Sequence, residues 1–70
     1  MREFAKLSEL SMGDVVELDD GFTCTKAKSR TVYEDKGELF FHCSNGRHYL
    51  SGQVDDDGRC VGIYKPEARQ

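Results

Sequence analysis

The chain has no apolar run longer than Leu39-Phe40-Phe41, far short of the roughly 20 residues a membrane-crossing helix needs. Its opening stretch Met1 to Leu10 is interrupted by Glu3, Lys6 and Glu9, so it reads as neither a secretory signal nor a membrane anchor. Cysteine is sparse and odd in number, Cys24, Cys43 and Cys60. Without an export signal, that count argues against a disulfide framework and for a reducing, cytoplasmic setting. Positive charge is in deficit, with 10 Lys and Arg against 13 Asp and Glu and a net charge of -3. The deficit favours solubility and weighs against nonspecific attachment to nucleic acid. Internal repeats, low-complexity runs and connections long enough for a parallel crossover are all missing, which leaves antiparallel pairing as the expected mode. Length is short as well: 70 residues make one domain that buries only about 60% of its unfolded surface. Such a chain cannot easily line a ligand pocket of roughly 300 to 1,000 Å³ while also filling its own core, so an enzyme acting alone is not expected.

Short strands cut by turns fill most of the sequence. Phe4, Leu7 and Leu10 recur every three residues, which predicts at most a short helical or 3₁₀ turn. Strands are expected at Val15 to Leu18, Phe22 to Lys26, Thr31 to Glu34, Glu38 to Cys43, His48 to Leu50 and Cys60 to Tyr64. The turns between them are Asp19-Asp20-Gly21, Asp35-Lys36-Gly37, Ser44-Asn45-Gly46-Arg47 and Asp55-Asp56-Asp57-Gly58. Asp20-Gly21 and Asn45-Gly46 are the residue pairs that two-residue hairpin loops prefer, because both central positions need positive φ. Pro66 stops the pattern. Residues 1–66 therefore form a single β-rich domain, with 67–70 as a flexible tail.

Five to six short strands with turns every 8 to 12 residues predict a small antiparallel barrel or a strongly bent sheet. The order of a turn, Gly13-Asp14, Val15-Val16 and then a meander of short strands resembles SH3-like small barrels.

Three constellations are candidates for function. If Asn45-Gly46 is the hairpin loop, Cys43 faces His48, and Leu39, Phe41, Cys43, His48 and Leu50 share the core side. The opposite side then carries Phe40 and His42, with Tyr49 across from His42, an aromatic patch of the kind enriched at protein interfaces. Because Phe40 and Phe41 must point opposite ways, something has to cover each of them. Secondly, Lys26, Lys28 and Arg30 recur every two residues and would form a basic stripe, with Tyr33 as a stacking platform for nucleic acid. Thirdly, Cys43 and His48 with Cys24 or Cys60 supply donors for tetrahedral zinc, though without the close ligand pairs usual in zinc folds; the plain alternative is that the cysteines are small core residues. Asp55, Asp56 and Asp57 lack the alternating ligands of a calcium loop and read as solvated, or as an acidic face that steers a basic partner.

The segments Gly13-Asp14-Val15-Val16, Asp20-Gly21-Phe22-Thr23-Cys24, Gly46-Arg47-His48-Tyr49-Leu50 and Gly52-Gln53, with the Asp-rich turn that follows, resemble small bacteriophage and prophage proteins. That resemblance implies a non-enzymatic accessory protein that binds a host factor, such as a defence nuclease or transcription machinery. The expectation is a protein-binding module without a cofactor, using Phe40, His42 and Tyr49 with Asp55, Asp56 and Asp57 for steering. The alternatives are a nucleic-acid-binding barrel through Lys26, Lys28, Arg30 and Tyr33, and a zinc-stabilised domain.

Overall fold

Alternation decides which side chains meet. In Val15–Leu18 (β1), Val16 and Leu18 are buried while Val15 stays exposed, the period-two pattern of a strand covered on one side. A computed structural model describes residues 3–23 and 27–66. The remaining strands are Ser29–Thr31 (β2), Tyr33–Asp35 (β3), Glu38–Cys43 (β4), Gly46–Tyr49 (β5) and Ile63–Tyr64 (β6), with 3₁₀ turns at Leu7–Glu9 and Leu50–Gln53. They form two three-stranded antiparallel sheets, ordered β2-β1-β6 and β3-β4-β5. The chain is mainly β, as its turn spacing predicts.

The two sheets share a corner at Val32. A single strand from Thr31 to Glu34 was the expectation; instead the segment splits, with Thr31 pairing to Val15 in the first sheet and Tyr33 to Phe40 in the second. Val32 between them donates its N–H to the Asp14 carbonyl and accepts from Gly13 N, both at 2.8 Å. Its side chain is fully buried. A β-branched residue locked at both backbone groups and aimed into the core lets the chain change sheets without leaving a buried polar group unpaired.

The expected strand Phe22 to Lys26 is absent in its described part, and Cys24 to Lys26 lie outside the described residues. Neither Asp20 nor Gly21 adopts positive φ, so no tight hairpin forms there. The Asp19 carboxylate takes the Gly21 N–H at 2.8 Å instead, and the Asp19 carbonyl takes Phe22 N at 3.3 Å. This local competition by an Asp side chain ends the strand. Phe22 drops into the core edge-on to Phe41 and His48, at 5.8 and 5.2 Å between centroids, and β1 pairs with β2 and β6.

The β3–β4 loop behaves as expected, with Lys36 and Gly37 both at positive φ, 55° and 84°, the twist that suits a two-residue hairpin. The β4–β5 loop is Ser44-Asn45 rather than Asn45-Gly46, and Gly46, at φ 123°, begins the return strand opposite Cys43. His48 therefore faces Phe41, not Cys43, and Tyr49 faces Phe40, not His42. The shift is two residues, so every side chain keeps its expected face.

Phe41, Leu50, Ile63, Val16, Val32 and Cys60 are fully buried and centre the core between the sheets. Leu50 starts the second 3₁₀ turn rather than ending a strand, and Cys60 makes an isolated bridge to Val54 before β6. Gln53 joins the sheets: His48 Nε2 donates to its Oε1 at 2.8 Å, while its Nε2 donates to the Val61 carbonyl and its own carbonyl accepts from Val61 N, each at 2.9 Å. The opening segment adds a further cover, with Ala5 bonded to Ile63 and Cys60 and with Arg59 donating to the Phe4 carbonyl at 2.8 Å. Among the described residues no helix is long and apolar enough to cross a membrane.

Two predictions follow from this packing. A Cβ at Gly62 would lie 2.8 Å from the Phe22 ring and 3.1 Å from the Asp19 carboxylate, at a φ of +81°. Gly62→Ala should therefore cost about 1–3 kcal/mol in chemical denaturation, from overpacking and backbone strain together. The Cys60 thiol is pushed above its ordinary value by burial and then by the Asp55 charge. The unfolded chain thus releases this proton at lower pH than the folded one, so the stability present below the ordinary thiol value declines as pH rises through the folded value. The melting temperature of the wild type should fall more steeply than that of Cys60→Ala above about pH 8.5; parallel curves would refute the assignment.

Candidate functional site

Register builds the outer face of the second sheet. Cross-strand partners share a side, so Tyr33, Phe40 and Tyr49 form one row across β3, β4 and β5, flanked by Asp35 and Glu38 at one end and by His42 and Arg47 at the other. The rings touch throughout. Tyr33 lies 5.9 Å from Phe40 and 5.0 Å from His42, Phe40 lies 5.4 Å from His42 edge-on, and Tyr49 lies 5.4 Å from Phe40. These are the tilted and edge-on separations that ring quadrupoles favour.

Arg47 crosses this row. From β5 its guanidinium reaches over the middle strand, with Cζ 4.3 Å from the Phe40 centroid, and Nη1 meets Asp35 Oδ2 on β3 at 2.7 Å and the Tyr49 hydroxyl at 3.1 Å. The Tyr49 hydroxyl first, and the Asp35 carboxylate second, hold the Arg47 pKa above its ordinary value. Arg47 thus covers the central ring, and Phe40 is only 4% exposed whereas Tyr33 and Tyr49 remain 43% and 39% exposed. The expected patch of Phe40, His42 and Tyr49 exists on the expected side, with one correction. Phe40 is its buried floor, and the accessible groups are Tyr33, His42 and Tyr49.

The other candidates disperse. Tyr33, expected as a stacking platform beside the basic stripe, belongs to the aromatic face. Lys28 pairs with Asp20 at 2.8 Å, and this contact draws the Asp20 carboxyl below its ordinary value through the hydrogen bond first and charge second. Arg30 is half-buried opposite Val16, and its Nε is buried without a hydrogen-bond partner. Lys26 lies outside the described residues. A continuous exposed stripe does not result from Lys28 and Arg30.

Asp55, Asp56 and Asp57 sit on the turn before Cys60, outside the three strands that carry the aromatic row. Asp55 Oδ1 is spent on the turn itself, accepting from the N–H groups of Asp57 and Arg59 at 2.9 and 3.0 Å.

The zinc set is also broken up. Cys43 is disulfide-bonded, against the expectation from the odd cysteine count, and a disulfide sulfur offers no thiolate to a metal. Cys24 is outside the described residues, and Cys60 is a fully buried free thiol. His48 stacks on Phe41 at 4.8 Å and gives its Nε2 proton to Gln53. Among the described residues no group of three or more His, Cys, Asp or Glu converges on a metal position.

Arg47 and Asp35 are the site members that sequence reading missed. The signal was present in Gly46: a glycine that follows a two-residue turn and starts the return strand brings Arg47 beside His42. No protein-family model, curated protein or solved structure matches the chain.

The geometry separates floor from rim. Phe40→Ala should destabilise the domain by about 3–5 kcal/mol, the cost of emptying a buried aromatic site. Tyr33→Ala or Tyr49→Ala should each change stability by roughly 1 kcal/mol or less, as for exposed positions. Urea unfolding of the three variants measures this; equal losses at all three would make the whole row core.

Proposed function

We propose that this chain is a non-enzymatic protein-binding module of SH3-like barrel type that docks its partner on the outer face of β3, β4 and β5. The barrel reading is supported by the bent β2–Val32–β3 segment shared by the two sheets and by the 3₁₀ turn that leads from β5 toward β6. The docking reading rests on one observation above all: two large tyrosines and a histidine stand exposed around a sealed aromatic floor, on the outer face of the second sheet. Tyrosine presents wide contact area with few rotatable bonds, which is why it recurs at interface centres. In the phage-type setting that the sequence resembles, the partner is a host protein, a defence nuclease or part of the transcription machinery, whose activity the module modulates or inhibits.

Affinity capture with the tagged chain, from bacterial lysate treated with nuclease and washed at moderate salt, tests the reading. A stoichiometric protein should survive nuclease, and should be lost when His42→Ala is combined with Tyr49→Ala, in a double variant that stays folded with only a modestly lowered thermal midpoint. Equal retention by wild type and double variant would remove the face from the interface. Recovery of nucleic acid alone would favour the runner-up, a nucleic-acid-binding barrel.

A further inference from the structure

The outer face already holds a cation, its own. The Arg47 guanidinium lies over Phe40 at 4.3 Å and is gripped by Asp35 and by the Tyr49 hydroxyl. An aromatic face carries negative potential, and a guanidinium stacks on it and forks toward a carboxylate in the same plane. Glu38 stands directly across from Asp35 on the same side, bonded to the Ser51 hydroxyl and joined to no cation among the described residues. The face therefore offers π surface and two carboxylates, and its single resident positive charge is held by an exposed ion pair of the kind that opens readily. With the chain at net charge -3, the complementary occupant is cationic.

We propose that the face recognises an arginine-bearing segment of the partner protein, whose guanidinium takes the slot between Phe40, Tyr49 and Asp35 while Arg47 swings out. Arg47 is then a resident competitor that keeps Phe40 covered until the partner arrives. Tyr33 and Glu38 receive the flanking part of the segment. A nucleic acid would use the face in the opposite electrostatic sense, gaining from Arg47 and losing from Asp35 and Glu38. The inference rests on the docking reading above and adds the chemistry of the occupant.

The probe is a Gly-Ser peptide with two arginines spaced two apart, so that both point to one side of an extended chain. Binding is followed by NMR through the Tyr33, Phe40 and Tyr49 ring signals at low salt. The peptide should shift these rings, and a lysine version should bind more weakly. Arg47→Ala should tighten binding by roughly three- to tenfold, because slot and carboxylate are both released. Asp35→Asn should weaken it by a similar factor. Lys36→Asn, which removes a nearby cation outside the slot, should have the smaller effect expected of net charge alone. The proposal is overturned if Arg47→Ala weakens binding or matches Lys36→Asn, if Asp35→Asn changes nothing, or if a short oligothymidylate displaces the peptide from the rings and depends on Arg47. Capture of a protein through His42 and Tyr49 with no arginine preference would refute the cationic slot and leave the docking face standing. The expected peptide series without a captured protein would do the reverse.

Discussion

Two consecutive phenylalanines in the middle of one strand set the terms for this molecule. Alternation forces Phe40 and Phe41 to opposite sides of β4, and each fully buried ring contributes about 1.5–3 kcal/mol relative to exposure, so a domain this small cannot leave either bare. Phe41 is covered by Phe22 and His48 and becomes the centre of the main core. Phe40 has no second sheet to lean on. Its cover comes from neighbours in the same sheet, Tyr33, His42 and Tyr49 around it and Arg47 above it. A solvent-side aromatic cluster is thus a structural consequence of β4 before it is a functional surface, and the same contacts that seal Phe40 leave the tyrosine rims in water.

The rest of the architecture closes around Phe41. The bend at Val32 brings the two sheets together on one side, and on the other the gap between β5 and β6 is spanned by a side chain, Gln53, rather than by a ladder. This arrangement satisfies His48 and the Val61 backbone at once, which a thin core requires because an unpaired buried polar group costs as much as several methylene contacts contribute. The backbone bonds at Val32 and the side-chain bridge at Gln53 tie the second sheet to the rest of the fold, and a surface held in place is the form in which the proposed docking loses least to ordering.

Strand composition and alternation made β1 and β4 legible to the residue, together with the Asp35-Lys36-Gly37 turn, because each needs only local physics. The faces of Phe40, His42 and Tyr49 were legible for the same reason: a register error of two residues leaves parity intact. What escaped was set by competition between local options. Asp20-Gly21 has the composition of a hairpin loop, yet the Asp19 carboxylate captures Gly21 N–H first and the Val15–Leu18 strand finds its partner at Ser29–Thr31 instead. The split at Val32 depends on long-range pairing that no window of the sequence contains. Arg47 and Asp35 could be joined only once the loop was known to be Ser44-Asn45, since their contact is diagonal across three strands.

Charge placement then discriminates between partners in a way that net charge cannot. A nucleic-acid surface needs cations presented outward and unspent, whereas here Lys28 is tied to Asp20, Arg59 to Glu3 and the Phe4 carbonyl, and Arg47 to Asp35. Each of these positive groups fastens one segment of the chain to another. The carboxylates are distributed differently. Asp55 and Asp19 shape turns through backbone N–H groups, while Glu38 faces solvent beside the aromatic row. Among the described residues Lys28, Arg47 and Arg59 are spent on contacts within the fold while the Glu38 carboxylate borders the exposed aromatic face, the complement that the proposed cationic partner requires.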